Sequence, residues 1–586
     1  MYCKTTVRIP SEKGKIITRK KGDAVYILFQ HGAVYNREKQ YAVPQRTVIG
    51  KADSGNPGYM FPNEKFQDYF PEAAIPEILP EAYRSCCLRI GSYAVIRKVL
   101  DEYGIPGILR PLFPKDLGLL LDLVAYMIVE EDNAGQYYPD FAFCHPLFSE
   151  DMQIFSDVKI SRFLRGITEE QIKGFLDAWN KKRDHTQKIY ISYDSTNKNS
   201  SAGDIELVEY GKAKTDKGLP IFNLAIAFDQ TNRIPLFYEE YPGSITDVSQ
   251  FSYTVGKAGQ YGYENIGFVL DRGYFSKDNI RYMEQHGYAF IIMVKGRKDL
   301  VSSLITEHRH TFETDRSCSI RSYRVYGKTV MSKLYEDDEK ERYIHIYYNP
   351  SKEAAEREEL EQQIDQMKTH LEKHMGLTTE FGKPYHDLFD IRYSKKGKQL
   401  ISFEERADVI TKKLELCGYF CIVTSEEMTC SQALVQYKGR DISEKLFRSD
   451  KSFIGSGSMR VHSTESVKAK LFVEFIALIV RNRIYNLLKE TFLRLEVRPN
   501  YMTVPAAIKE LEKIEMVNRS RKRYELDHAV TKRQRIILSS FGMDEDSIRE
   551  IAAGISSLLA KDQAQQGNTT EKEQNDDGED TFNLFD

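Results

Sequence analysis

The chain has 586 residues, of which 41% are hydrophobic and 29% charged, with a formal net charge of −3. That length implies two to four domains of ordinary size, and no window holds the roughly eighteen uninterrupted apolar residues of a membrane span. Eight scattered cysteines without a C-x-x-C pair argue against a disulfide framework and a standard zinc module.

The charge is unevenly spread. Residues 1–50 carry ten Lys and Arg against three acids, a candidate phosphate-binding surface or plain solubility. Residues 561–586 carry eight acids against two lysines, the composition of a disordered acidic tail. The first residues, MYCKTTVRIPSEKGK, lack an apolar signal region, which predicts a cytoplasmic protein.

In chain order, β formers such as AVYILFQHGAVY predict a β-rich N-terminal module over 1–92. Helical apolar spacing follows over 93–185; its pair of helices within FSDVKISRFLRGITEEQIKGFLDAWN reads as core packing or as a DNA-reading unit. The segment LGLLLDLVAYMIV contains Asp122 and reads as a buried helix.

The runs QKIYISYD, PIFNLAIAFD and RIPLFYEEY predict a three-stranded meander, the second and third joined by the turn DQTNR. A helix from Thr246, the strand IGFVL, a helix from Ser276 and the strand AFIIMVK come next. That order predicts an α/β fold with a ribonuclease-H-like catalytic core over 186–295 and 417–460. An insertion subdomain over 296–416 interrupts it, with strand-like pieces SIRSYRVYG and RYIHIYY and a charged helix whose Leu360, Ile364, Met367 and Leu371 follow heptad-like spacing. GYFCIV returns the chain to the core. A C-terminal helical region over 461–560 includes a long apolar helix from Ser463 to about Arg494 and a capped helix over Thr503 to Val517.

Two-metal phosphodiester chemistry needs several carboxylates converging on one point, because hard cations take oxygen ligands. Asp194 closes the predicted strand IYISYD and Asp271 closes GFVLD, so neighbouring strands would carry both acids to one sheet edge. Glu444 lies in YKGRDISEKLFRSDK, where mixed charges alone would suggest a solvated helix face. Asp441 and Glu444 form a D-x-x-E pattern, with Asp441 as N-cap and Glu444 in the first turn. Lys451, seven residues on, shares the face of Glu444 within about 20°. Tyr437 and Arg440 join that face if Gly439 leaves the helix unbroken.

These residues match, at every spacing, the signature Tyr-x2-Arg-x3-Glu-x6-Lys, and the chain resembles the DDE transposases of bacterial insertion sequences. YDSTN at Asp194 and LDRGYFS at Asp271 resemble the contexts of that family's first two catalytic aspartates. Cys417-Gly418 stands where relatives often carry Asp-Gly. The resemblance implies cut-and-paste transposition with Asp194, Asp271 and Glu444 as catalytic metal ligands for two Mg²⁺ ions, Mn²⁺ being a substitute. It also implies backbone grip on DNA by Tyr437, Arg440 and Lys451, with Arg272 adding a phosphate contact and Tyr274 a stacking surface or core packing.

The implied partners are double-stranded DNA, at terminal inverted repeats and at the target, and a second protomer in the end complex; no membrane is involved. The implied location is the bacterial cytoplasm, at the nucleoid. Rival readings are a ribonuclease-H-fold nuclease without strand transfer and a repurposed DNA-binding protein. The tail ends in TFNLFD, whose Leu584-Phe585 pair resembles part of sliding-clamp-binding peptides.

Overall fold

The computed structural model describes the chain outside residues 1, 3–4, 13–14, 23, 38–39, 74–83, 200–204, 212–217, 246, 395–398, 441–458, 460, 462, 497–498, 520–522 and 577–586; for 247–248 and 561–576 it describes backbone alone. The chain divides into two compact units, Met1–Arg84 and Ser85–Asp586.

The smaller unit is an antiparallel sheet of β1 (Val7–Arg8), β2 (Ile16–Lys21), β3 (Ala24–Asn36), β4 (Tyr41–Ala52) and β5 (Tyr59–Pro62), in the order β1-β5-β4-β3-β2. Ile27, Phe29, Ile49 and Met60 bury one side with Phe66 of the short helix Phe66–Tyr69. Phe29 sits 5.1 Å from Tyr69 and 5.2 Å from Phe70, centroid to centroid, so aromatic contacts close this small core.

The larger unit begins with β6 (Cys87–Arg89) and helices that include Gly91–Tyr103, Leu117–Val129, Asp157–Gly166 and Glu169–Lys181. A meander follows: β7 (Ile189–Asn199), β8 (Ile221–Asp229) and β9 (Ile234–Pro242). The helix Asp247–Gln260 leads to β10 (Ile266–Leu270), and the helix Lys277–Gln285 to β11 (Ala289–Met293). Next come β12 (Ser319–Ile320), β13 (Val325–Ser332) and β14 (Arg342–Tyr348). The pair β15 (Phe389–Tyr393) and β16 (Leu400–Glu405) precedes β17 (Tyr419–Thr424), and β18 (Glu515–Val517) and β19 (Glu525–Leu526) end the series.

Nine strands form one sheet in the order β12-β13-β14-β17-β11-β10-β7-β8-β9. β10 runs parallel to both β7 and β11, while β8, β9, β17 and β12 to β14 pair antiparallel. Strands β12 to β14 thus extend the central sheet. The helix Pro350–Lys373, the pair β15–β16 and the helix Ala407–Glu415 bury a separate cluster around Ile364, Met367, Leu371, Phe389 and Leu400.

Alternation along β10 and β11 covers both faces. Phe268, Leu270, Phe290 and Ile292 join the main core, whereas Val269 and Ile291 face a second cluster with Leu434 and Tyr437. The helix Thr464–Arg494 is buried on all sides for most of its length, as expected of a central helix without a polar face. No helix among the described residues is long and apolar enough to cross a membrane.

Two sequence expectations shift in detail. The helix read over Thr503 to Val517 stops at Leu511, because Glu515–Val517 pairs as β18 with β6. β7 does not close at Asp194: it continues to Asn199 because β8 pairs with it as far as Ile221. Its polar continuation is buried and partnered. Lys198 lies 2.8 Å from Glu474 of the long helix, both essentially inaccessible, and Asn133 donates to the same carboxylate at 3.2 Å.

Removing one member of such a pair strands a buried charge, at roughly 3–5 kcal/mol. Lys198→Met is therefore expected to lower the unfolding midpoint of the larger unit strongly, and Lys198→Met with Glu474→Leu to recover much of the loss. Chemical denaturation of the three proteins checks this. Equal midpoints for Lys198→Met and the parent would contradict it.

Candidate active site

The parallel pairing of β7 with β10 sets the site. Leu270 lies opposite Tyr193, so the next residues along, Asp271 and Asp194, fall side by side on strands roughly 4.8 Å apart. β10 ends there while β7 continues, so Asp271 stands at the mouth of the loop that follows. Both acids are partly exposed, and Asp194 Oδ1 accepts from the Ser195 N–H at 2.9 Å.

Beyond Asp271 the chain makes a 3-10 turn, Arg272–Tyr274. Arg272, next to the acid in sequence, is exposed. Tyr274 is buried, with its ring 5.5 Å from Tyr193 and 5.8 Å from Phe251, and serves as core packing rather than as a stacking surface.

The helix Cys430–Gly439 approaches from the other face of the sheet. Thr429 starts it with a capping box closed by Gln432, and Leu434 and Tyr437 pack it onto Val269 and Ile291. The Tyr437 ring is buried and its hydroxyl donates to Asp271 Oδ1 at 3.4 Å. Burial, reinforced by the Asp271 carboxylate and opposed by Arg440, pushes the Tyr437 phenol up to about 12. The hydroxyl thus stays a donor at physiological pH.

Arg440 follows as the C-cap of this helix. Its guanidinium lies 3.6 Å from Asp271 Oδ1 and 5.4 Å from the centre of the Tyr437 ring. One oxygen of Asp271 is thereby shared by a neutral and a cationic donor.

Sequence reasoning missed Gln230, in the turn between β8 and β9. With its amide oriented by its surroundings, it donates to the Gln436 carbonyl at 3.1 Å and accepts from the Arg440 N–H at 3.0 Å. It thus holds the helix end that presents Arg440. Nothing in the DQTNR turn signals this contact, which arises only when distant segments meet.

The structure accordingly brings together Asp194, Asp271, Tyr437, Arg440 and Arg272. Asp441, Glu444 and Lys451 lie outside the described residues. Among the described residues, no group of three or more His, Cys, Asp and Glu side chains is gathered for a metal ion. The two adjacent aspartates are nonetheless hard oxygen donors, the ligand type that suits a small divalent cation.

The ring and the hydroxyl of Tyr437 have separable roles. Tyr437→Phe keeps the packing and is expected to cost no more than about 1.5 kcal/mol, whereas Tyr437→Ala opens a cavity worth roughly 3–5 kcal/mol. Unfolding midpoints of the two variants check this; equal losses would contradict it.

No curated protein matches the chain in sequence. Among solved structures, one match is the Mos1 transposase paired-end complex with left transposon end, at 11% identity and a TM-score of 0.14. That match covers 39% of this chain and 65% of the other, so the chain spans less than two thirds of its length; a likeness so partial bears on neither fold nor function. The sequence match is of a different kind. Residues 191–480, which include Asp194, Asp271, Tyr437 and Arg440, match the family model described as Transposase DDE domain, and this match supports a DDE transposase.

Proposed function

We propose that the chain is a cut-and-paste transposase of an insertion sequence, built on a ribonuclease-H-like core. The observation that carries this reading is the register of β7 and β10, which makes Asp194 and Asp271 neighbours inside the stretch that matches the transposase family. The order β9-β8-β7-β10-β11, with β8 antiparallel among parallel strands, supports the ribonuclease-H-like assignment.

Asp194, Asp271 and Glu444 would hold two divalent cations, Mg²⁺ or its substitute Mn²⁺, which supply stabilisation of the attacking and leaving oxygens when bound. Water adds across a phosphodiester at the transposon end, the bond from phosphorus to the 3′-oxygen breaks, and a 3′-hydroxyl is freed. That hydroxyl then attacks a target phosphodiester: one phosphorus–oxygen bond forms as another breaks, so no external energy source is needed.

Arg440 and Lys451 hold the DNA backbone at the reacting strand, Arg440 by paired contacts from its planar fork and Lys451 as a point charge. Arg272 adds a phosphate contact. Tyr437 holds Asp271 in place through its hydroxyl and reaches DNA by that group alone, since its ring is buried. Two protomers pair two inverted-repeat ends before cutting, in the bacterial nucleoid. The peptide TFNLFD is either without a role or, as its Leu584-Phe585 pair suggests, a recruiting peptide for a sliding clamp.

Asp194→Asn, Asp271→Asn and Glu444→Gln are each expected to abolish Mg²⁺-dependent nicking of an end-containing duplex while leaving its binding within a few-fold. Nicking at the parental rate would remove that residue from the catalytic set. Joining of the nicked end to a second duplex separates transposition from simple hydrolysis; nicking without joining would favour a nuclease.

For pairing of ends, mixing parent with Glu444→Gln protein is expected to inhibit more than dilution alone. Strictly proportional loss would contradict a paired complex.

A further inference from the structure

The active site absorbs none of the smaller unit, whose sheet has an unusual composition. Strands β2, β3 and β4 contain five cations, Arg19, Lys20, Lys21, Arg46 and Lys51, and no Asp or Glu, in a chain whose net charge is −3. Arg19, Lys20, Arg46 and Lys51 are exposed and form no ion pair among the described residues. The cations also share rows: Arg19 lies opposite Tyr26, and Tyr26 opposite Lys51, so one row across three strands reads Arg, Tyr, Lys. Four rungs away along β3, Gln30 faces Arg46 and accepts its Nε–H at 3.2 Å.

The same strands leave the sheet as an arm. β2 pairs with β3 only from Ala24 to Phe29, and β5 pairs with β4 only from Gly50 to Ala52. From Gly32–Gln45 to Asn36–Tyr41 the two strands pair, among the described residues, with each other alone, a ribbon of five rungs about 17 Å long. Its large side chains stand in solvent: Val34 is 55% exposed, Tyr35 62% and Tyr41 55%. An isolated two-stranded ribbon is marginal in water, and an exposed apolar patch of this kind marks a contact surface. Gly32, Ala33 and Ala42 keep the ribbon slim, and Arg37 is exposed at its turn.

We infer that this unit is a duplex-DNA clamp, with the β3–β4 ribbon entering the major groove and the cationic rows at its base gripping the flanking phosphates. A two-stranded β ribbon fits the roughly 12 Å major groove. The absence of carboxylates on three strands suits a polyanion, and the exposed aromatic and β-branched side chains suit the thymine methyls and sugar edges of the groove wall. The inference deepens the transposase reading by assigning DNA binding to a surface outside the catalytic sheet.

The test measures binding of full-length protein to a labelled duplex, to the corresponding single strand and to phosphatidylserine vesicles, across a range of salt. Arg19→Ala with Lys51→Ala is expected to weaken duplex binding and to reduce the slope of log affinity against log salt by about 0.9 per lost phosphate contact. Tyr35→Ala with Tyr41→Ala is expected to weaken binding several-fold with the slope unchanged. Both pairs are exposed, so unfolding midpoints are expected to match the parent, and Arg19→Lys with Lys51→Arg to restore the slope.

Parental affinity and slope in the Arg19 and Lys51 double variant would overturn the inference. So would single strand bound as tightly as duplex, or vesicles bound in place of DNA. The two readings fail separately. A parent that binds duplex through these residues but never nicks it keeps this surface and loses the transposase, while nicking by a parent whose binding ignores both pairs does the reverse.

Discussion

The parallel pairing of β7 with β10 is the constraint on which the site depends. Because side chains alternate across a sheet, a one-residue slip would turn one of the two aspartates to the opposite face. The buried neighbours fix that register. Val269 faces the cluster of Leu434 and Tyr437, and Phe268 and Leu270 face the main core, so a one-residue slip would turn all three to the wrong face. The chemistry of the edge is thus set by apolar burial one to three residues away.

The same burial delivers the second layer of the site. The helix Cys430–Gly439 is held by Leu434 and Tyr437 against one face, and that packing brings the Tyr437 hydroxyl and the Arg440 guanidinium to a single oxygen of Asp271. Gln230 ties down the helix end from a different turn. The Lys198–Glu474 pair links the continuation of β7 to the central helix, so the strand bearing Asp194 is anchored four residues beyond it. An acid pair proposed to hold small cations needs such rigidity.

Much of this was legible in the sequence, for physical reasons that differ by element. Apolar runs bounded by turn residues read directly as β8, β9, β10 and β11, since such strands are buried on both faces and need no alternation. The polar run Ser195 to Lys198 read as the end of a strand because its residues favour turns. It is strand all the same, and buried, with Asn197 bonded to Asn223 and Lys198 to Glu474. Partners so distant in sequence leave no local trace.

The helix over Thr503 to Val517 was overextended for a related reason: pairing of Met516 with Leu88 overrides local helical spacing. The adjacency of Asp194 and Asp271 followed from strand order alone, whereas the hold on Asp271 by Tyr437 and Arg440 needed the helix in place.

The most direct measurement is binding of Mn²⁺ to the protein without DNA, followed by electron paramagnetic resonance as the ion leaves solution. If Asp194 and Asp271 form one site, the parent binds Mn²⁺, and Asp194→Asn and Asp271→Asn each weaken that binding at least tenfold with the fold intact. Parental Mn²⁺ affinity in both variants would contradict a shared site at this sheet edge.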